Sequence, residues 1–244
     1  MIYDSIVSKA GSCKQVALLI DPDKYDDHSL LRILHYANRT HTDFILVGGS
    51  LISDPVTPII DRIKTNTTIP VVLFPGSLLQ ISDNADAILF LSLVSGRNPD
   101  YLIGNHIIAA PLLKKSNLEV ISTAYLLIEN GISTSVEYMS STNPIPAEKV
   151  DIAVATALAA EMLGFKLIYL EAGSGAQCHV PEAMIREVRK NVGIPVIVGG
   201  GIREKEDARK IFRAGADIIV IGNAIEKDPL KLEEIASLRS SDTM

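Results

Sequence analysis

The chain has 244 residues, 47% of them hydrophobic and 21% charged, with a formal net charge of -6 and no Trp. That length is about the ~250 residues of a single (β/α)₈ barrel, and the composition excludes a disordered chain. Without a clustered Lys/Arg face it excludes nucleic acid as a partner as well.

The opening MIYDSIVSKAGSCK has no basic segment leading into an apolar one, so it does not read as a signal peptide. The longest apolar stretch, Ala153 to Phe165, carries Glu161 and falls short of the ~20 residues that span a bilayer. A soluble chain with at most transient membrane contact is expected. Cys13 and Cys178 show no CxxC or metal spacing, which points to free thiols in a reducing cytoplasm.

Short apolar runs then alternate with amphipathic segments from end to end. In chain order the runs are Val16–Ile20, Phe44–Val47, Val71–Phe74, Ala87–Leu93, Val120–Leu127, Leu167–Leu170, Pro195–Val198 and Ile218–Ile221. Each is too short for a typical helix, and most end in Gly, Pro, Asp or Glu. Their apolar mass is mainly Ile, Leu, Val and Ala, which suits parallel strands buried on both faces. Most are spaced near the ~30 residues of a βαβ unit. The segment after Pro75 is too short for a full helix, so helix 3 is expected to be degenerate. After the fifth run comes an insertion, Glu129 to Pro146, rich in Ser, Thr, Asn and Pro and readable as a lid or a hairpin, followed by a helix from Ala147 to Gly164. Pro181 and Glu182 open a helix to Asn191, and an amphipathic helix from Arg203 to Ala214 stops at a C-cap, Gly215. The expectation is one domain over residues 1–244, a (β/α)₈ TIM barrel with a degenerate helix 3 region and an insertion after strand 5.

Barrel chemistry sits at the C-terminal ends of the strands. Here the strongest signal is VGGGI, with Gly199, Gly200 and Gly201, paired with Gly222-Asn223 after the next strand. Glycine lets backbone N–H groups approach a ligand unobstructed, and the turns after strands 7 and 8 form the usual barrel phosphate site. The run YLEAGSGA puts Glu171 at the end of a strand, followed by the donor-rich turn Gly173-Ser174-Gly175; a carboxylate beside a phosphate site suits a general base for a substrate hydroxyl. Asp21 ends the first strand and Ser50 follows the second, within VGGS. Mg²⁺ takes one or two carboxylates together with substrate phosphate oxygens and water. Asp23 is a second candidate ligand, and Ser50 also reads as a helix N-cap. Lys24 and Arg203 fit a phosphate contact and a solvated surface equally. His28, His35, His41, His106 and His179 share no metal-ligand spacing, and no Ser/His/Asp order, Walker A loop or GxGxxG occurs.

IDPDK, VGGS, LFPGS, YLEAGSGA, VGGGI and GNAIEKDP, in this order and along nearly the whole chain, resemble geranylgeranylglyceryl phosphate synthase, a prenyltransferase family that includes the shorter bacterial heptaprenylglyceryl phosphate synthases. GGGI and GNA occur in many phosphate-binding barrels; YLEAGSG with an early IDPDK is far more specific. The resemblance implies attack of the C3 hydroxyl of sn-glycerol 1-phosphate on C1 of a prenyl diphosphate, geranylgeranyl diphosphate being the implied donor, with release of diphosphate. It implies Mg²⁺ at Asp21 and Ser50, and Glu171 as base with Tyr169 beside it. Glycerol phosphate contacts are implied at Tyr169, Leu170, Glu171, Ala172, Gly173, Ser174, Gly175, Gly200, Gly201, Gly222 and Asn223. An apolar groove for the prenyl tail is expected near Phe74 to Ile81 and Ala87 to Ser95. The shorter relatives carry Lys two residues before the first Asp; Leu19 stands there instead, which favours the geranylgeranyl branch and removes one phosphate contact. Barrels of this kind often self-associate through outer helices, as dimers or hexamers, and Ala153 to Phe165 is either such a surface or core-facing.

Two other readings compete. A phosphosugar isomerase of the histidine-biosynthesis type usually needs an acid/base pair at the ends of strands 1 and 5, and strand 5 offers no carboxylate before Glu129. A non-catalytic phosphate-binding barrel would keep GGG and GNA but has no need of both Asp21 and Glu171.

Overall fold

A computed structural model describes residues 1–239. Among the described residues eight parallel strands close into a barrel in chain order. They are β1 (Gln15–Ile20), β2 (Phe44–Val47), β3 (Val71–Leu73), β4 (Ala87–Leu93), β5 (Glu119–Leu127), β6 (Leu167–Glu171), β7 (Val196–Gly199) and β8 (Ile218–Ile221). The ring closes where β1 pairs with β8, Val16 opposite Ile219 and Ala17 opposite Val220. The helices are α1 (Ile2–Lys9), α2 (Asp27–Arg39), α3 (Val56–Asn66), α4 (Asn105–Leu113), α5 (Ser135–Ser140), α6 (Val150–Met162), α7 (Glu182–Asn191), α8 (Lys205–Ala214), α9 (Asn223–Lys227) and α10 (Leu230–Ala236).

Strand side chains alternate between two cores, as a period of two requires. Ala17, Leu46, Val72, Leu89, Tyr125, Leu167, Tyr169, Ile197 and Val220 fill the barrel interior. Val16, Leu18, Ile20, Ile45, Val47, Ile168, Leu170 and Val198 face outward into the layer shared with the helices. Each fully buried Val, Leu or Ile contributes roughly 1.5–3 kcal/mol, so the parity of each strand is strongly fixed. That parity also aims the strand-end residues. Glu171 shares the inward phase of Leu167 and Tyr169, and Asp21 shares that of Ala17 and Leu19.

The amino-terminal segment contributes a helix that the sequence reading lacks. α1 closes the N-terminal end of the barrel, placing Ile6 among the interior residues. Its first N–H groups are held by Glu119, whose carboxylate accepts from Ile2 at 2.5 Å and Tyr3 at 3.0 Å. Other boundaries shift for local reasons. Pro195 has no N–H to give, and β7 runs from Val196 to Gly199. α6 starts at Val150 rather than Ala147, because Ile145 bridges Ile128 and Lys149 N–H donates to Pro146 C=O at 2.9 Å. α8 starts at Lys205 rather than Arg203, since the Arg203 and Glu204 N–H groups both donate to the Asp207 carboxylate at 3.0 Å. Gly215 ends α8 in the left-handed conformation, as its position in the sequence requires.

Two departures from an even barrel shape the site. Between β3 and β4 there is only a 3₁₀ turn, Leu78–Gln80, so helix 3 is degenerate. Gln80, 3% exposed, rivets this turn to the β2 loop. Its amide accepts from Gly49 N–H (3.3 Å) and Gly76 N–H (3.0 Å) and donates to Gly49 C=O (2.8 Å). The insertion after β5 is neither a hairpin nor a bare loop. It folds into α5, whose N-terminus carries a capping box between Thr134 and Glu137.

Candidate active site

The barrel mouth holds two adjoining cavities. The first is polar and lies over the barrel axis, lined by Asp21, Lys24, Ser50, Glu171, the turns Ser174–Ala176 and Gly200–Arg203, and Gly222-Asn223. The second is an apolar groove occupying the space that a full helix 3 would fill. Leu78, Ile81, Ile88, Phe90, His106 and Ala109 are among its walls.

Glu171 is the chemical centre of the polar cavity. It is 6% exposed and makes no salt bridge among the described residues, so no cation compensates its buried charge. Its carboxylate accepts from Gly173 N–H at 2.6 Å. Burial pushes its pKa up to about 7, with the Gly173 N–H and the nearby Tyr169 hydroxyl pulling it partly back. A carboxyl poised near neutrality can take a proton at physiological pH. Tyr169 is fully buried, and its phenol is held well above the ordinary value by that burial and by Glu171. Its hydroxyl has no hydrogen bond of good geometry to any described residue.

The glycines make room for this pair. A β-carbon at position 199 would meet the Tyr169 hydroxyl and, at 2.7 Å, Glu171 Oε2; one at 200 would collide with Glu171 Oε1. Gly200 and Gly201 stand at φ +79° and +69°, where side chains are strained. A β-carbon at 201 would collide with the Cys178–His179 backbone, so Gly201 lets that segment pass close by. Gly201 and Gly222 both line the mouth beside Asn223, which begins the short helix α9.

The strand parity sorts the expected contacts. Tyr169, Glu171, Ser174, Gly175, Gly200, Gly201, Gly222 and Asn223 line the polar cavity together with Asp21 and Ser50. Leu170 does not: it points outward, fully buried among residues packed against the helices. Ala172 and Gly173 stay behind the wall. Ala172 N–H donates to Gly199 C=O (3.0 Å) and Gly173 N–H to Glu171, so both hold the base rather than face the cavity.

Asp21 and Asp23 are also told apart. The Asp23 carboxylate accepts from Ser53 N–H (2.8 Å) and Asp54 N–H (3.0 Å), and these bonds hold its carboxyl below the usual range. It braces the loop before α3. Asp21 lines the cavity, with its carboxylate 3.5 Å from Lys24 Nζ. Ser50 is no helix cap, because Pro55 precedes α3. Lys24 spans the mouth, reaching Glu226 Oε1 at 3.1 Å and Asn223 Oδ1 at 3.2 Å. Arg203 lines the same cavity and donates to Ala176 C=O at 2.9 Å. One carboxylate and one hydroxyl fit a Mg²⁺ that brings phosphate oxygens and water with it. Among the described residues no group of three or more His, Cys, Asp or Glu could hold a metal without such help.

The sequence reading missed Tyr125, Glu226 and Val136. Tyr125 carries the inward phase of Ile121, and that parity was the available signal. Val136, on α5, faces both cavities, a placement with no local signature. His28 and His35 lie exposed on α2, as their spacing suggests. His106 is buried at the groove wall, with Nε2 3.0 Å from Ser92 Oγ and its ring edge-on to Phe90.

Together these features define a (β/α)₈-barrel enzyme whose mouth joins a glycine-lined polar site, with a buried carboxylate, to an apolar groove. A model of the PcrB family matches residues 12–239, and the chain belongs to that family. It is 50% identical over 237 residues to a protein of Chitinophaga pinensis named geranylgeranylglyceryl phosphate synthase, covering 96% of this chain and 94% of that one. It is 53% identical over 222 residues to a protein of the same name in Flavobacterium johnsoniae, covering 91% of each. The crystal structure of (S)-3-O-geranylgeranylglyceryl phosphate synthase from Thermoplasma acidophilum, in complex with sn-glycerol-1-phosphate, superposes with a TM-score of 0.92 at 37% identity, over 98% of both chains.

Proposed function

We propose that this chain joins the C3 hydroxyl of sn-glycerol 1-phosphate to C1 of a prenyl diphosphate, geranylgeranyl diphosphate above all, forming a prenylglyceryl phosphate ether and releasing diphosphate. The observation that carries the reading is the junction itself: a buried carboxylate among phosphate-sized glycine turns opens directly onto an apolar groove. The shared name of the relatives supports it, as does the sn-glycerol-1-phosphate in the Thermoplasma acidophilum structure.

In this reading the turns at Ser174-Gly175, Gly200-Gly201 and Gly222-Asn223 hold the glycerol phosphate. They set its C3 hydroxyl against Glu171, which takes the proton as oxygen bonds to C1. The C1–O bond to diphosphate breaks, and its electron pair leaves with the diphosphate. Asp21 and Ser50 are the residues that would hold Mg²⁺, which when bound offsets the leaving-group charge. Positioning both substrates in one mouth supplies much of the acceleration.

The reading includes a cytoplasmic setting, supported by two exposed, unpaired cysteines, Cys13 and Cys178. Among the described residues no helix is long and apolar enough to cross a membrane. It also includes self-association, as a dimer or hexamer. α6 turns Ala153, Ala157 and Ala160 inward yet leaves Met162 and, just beyond it, Leu163 about four-fifths exposed. On α4, Ile107, Ile108 and Leu112 are each at least 60% exposed. Apolar faces of this kind mark contact surfaces.

Incubation with Mg²⁺, geranylgeranyl diphosphate and sn-glycerol 1-phosphate should give the ether. Absence of any ether product across prenyl lengths, at ample enzyme, overturns the reading. Sedimentation of the wild type and an Ile107→Glu variant tests the self-association.

A further inference from the structure

Gly49, Ser50, Phe74, Tyr125 and Val136 line both the polar cavity and the apolar groove. Any substrate with a polar head in one and an apolar tail in the other must pass them. Two of the five are aromatic, and both contact a third ring. Phe74 stacks on Tyr169 with centroids 5.2 Å apart and planes 16° from parallel. Tyr125 lies 5.3 Å from Tyr169 and 6.2 Å from Phe74. All three continue the inward phase of β3, β5 and β6, so barrel closure brings them together.

We propose that Phe74 and Tyr125, backed by Tyr169, form an aromatic wall that stabilises the positive charge developing at C1 of the prenyl donor. This rests on the prenyl-transfer reading above. With the diphosphate at Asp21 and Ser50 and the tail along Leu78 and Ile81, the head-to-tail boundary of the donor falls beside these two rings. As the C1–O bond lengthens, the electron pair goes to diphosphate and C1 becomes cationic until the glycerol oxygen bonds to it. An aromatic face attracts such a charge through its quadrupole, most strongly where water is excluded. Tyr125 is 7% exposed and Phe74 is partly buried, and a prenyl chain seated in the groove would cover them further. Burial and the Glu171 charge keep the Tyr125 phenol neutral. The wall therefore offers π density without a phenolate, whose oxygen would otherwise attack C1 and trap the prenyl group as an aryl ether.

The test keeps ring shape and changes ring charge. Phe74 is replaced by mono-, di- and trifluorophenylalanine, and the same series is placed at position 125 beside Tyr125→Phe. The readout is the single-turnover rate with geranylgeranyl diphosphate, Mg²⁺ and saturating sn-glycerol 1-phosphate. The expected result is a stepwise fall with each fluorine, reaching about tenfold in rate, while the Kd for sn-glycerol 1-phosphate stays within twofold. Phe74→Leu, without a ring, should fall at least as far as the trifluoro variant. A rate independent of fluorination, in protein that still binds sn-glycerol 1-phosphate, overturns the aromatic wall and leaves prenyl transfer standing. A wild-type enzyme that makes no ether overturns both.

Discussion

The carboxylate of Glu171 occupies the space that a side chain on Gly200 would fill: a β-carbon there would collide with Glu171 Oε1. The base and the phosphate turn are thus one packing unit, with the Gly200 backbone held at φ +79°.

Gly200→Ala should damage both chemistry and stability. Strain at positive φ costs roughly 1–2 kcal/mol. The β-carbon would also press on the backbone nitrogens of Gly173 (2.6 Å) and Ala172 (2.9 Å), which cannot swing aside, so a clear fall in melting temperature is expected. Displacing the base by even 1 Å can cost about 10²-fold in rate. Thermal melts and kcat on the same preparation check this, and a variant that keeps wild-type kcat would show that the base does not depend on position 200.

Glu171→Gln should nearly abolish turnover while leaving glycerol phosphate binding largely intact. Its effect on stability runs the other way. Below pH about 4.5 the carboxyl is protonated in both folded and unfolded chains. Between about 4.5 and 7 the unfolded chain is ionised and the folded chain is not, so stability falls as pH rises; above about 7 the full penalty persists. A shift from 4.5 to about 7 corresponds to about 3 kcal/mol. The Gln variant should thus melt higher than wild type at pH 8 and equally at pH 4. In the wild type, kcat/KM should rise through pH about 7 as the base ionises. Equal melting at pH 8 would place Glu171 in a wetter site.

Most of this site was legible because strand parity is a one-dimensional property. Leu167, Tyr169 and Glu171 alternate with Ile168 and Leu170, and that alternation alone aims Glu171 inward and Leu170 outward. The expectation of a Leu170 contact came with the family resemblance, which carried the whole run Tyr169 to Gly175 over as contacts without regard to strand parity. Asp21 and Asp23 could not be separated from sequence, since the Ser53 and Asp54 N–H groups that engage Asp23 lie thirty residues away. The groove was foreseeable from the short segment after Pro75. The place of α5 against it was not, because Val136 reaches both cavities only through the fold of the insertion. α1 escaped notice since eight residues with one deeply buried position, Ile6, carry little periodic signal.

Asp21→Asn and Asp23→Asn should separate metal binding from loop bracing. Asp21→Asn should lower turnover by at least about tenfold at limiting Mg²⁺, with partial recovery at high Mg²⁺, because one charged ligand is lost. Asp23→Asn should leave the Mg²⁺ dependence unchanged and loosen the loop before α3, seen as faster amide exchange at Ser53 and Asp54. Identical Mg²⁺ titrations for Asp21→Asn and wild type would exclude Asp21 as the ligand.

Asp217 is the strongest structural carboxylate at the opposite end of the barrel. It is 0% exposed; Oδ1 accepts from Gly11 N–H (2.8 Å), and Oδ2 accepts from Val196 N–H (2.9 Å) and lies 3.3 Å from Arg189 Nε. One side chain thereby joins the segment after α1, the start of β7 and helix α7. Asp217→Ala strands the buried Val196 N–H and frees the Gly11 N–H and the Arg189 guanidinium, which solvent can reach, a loss of about 2–3 kcal/mol. Urea unfolding should show it as a lower midpoint, with kcat for the folded fraction unchanged because Asp217 lies far from the mouth along the strands. A loss below about 1 kcal/mol would mean water replaces the carboxylate without strain.

Ala109, 4% exposed on α4, is one of the small residues on the groove wall, opposite the ordinary place of helix 3. Ala109→Phe puts a ring into that volume. The groove wall around it is mainly apolar, Ile81, Ile88 and Phe90 included, with His106 on the same helix, so the ring either blocks the groove or overpacks the core, the latter at about 1–3 kcal/mol. These outcomes differ in kinetics. A blocked groove raises KM for a twenty-carbon donor by about tenfold while a ten-carbon donor and sn-glycerol 1-phosphate keep their KM values. Overpacking lowers the melting temperature and leaves the ratio between donors unchanged. A changed donor ratio with an unchanged melting temperature places the tail against α4; an unchanged ratio moves it elsewhere.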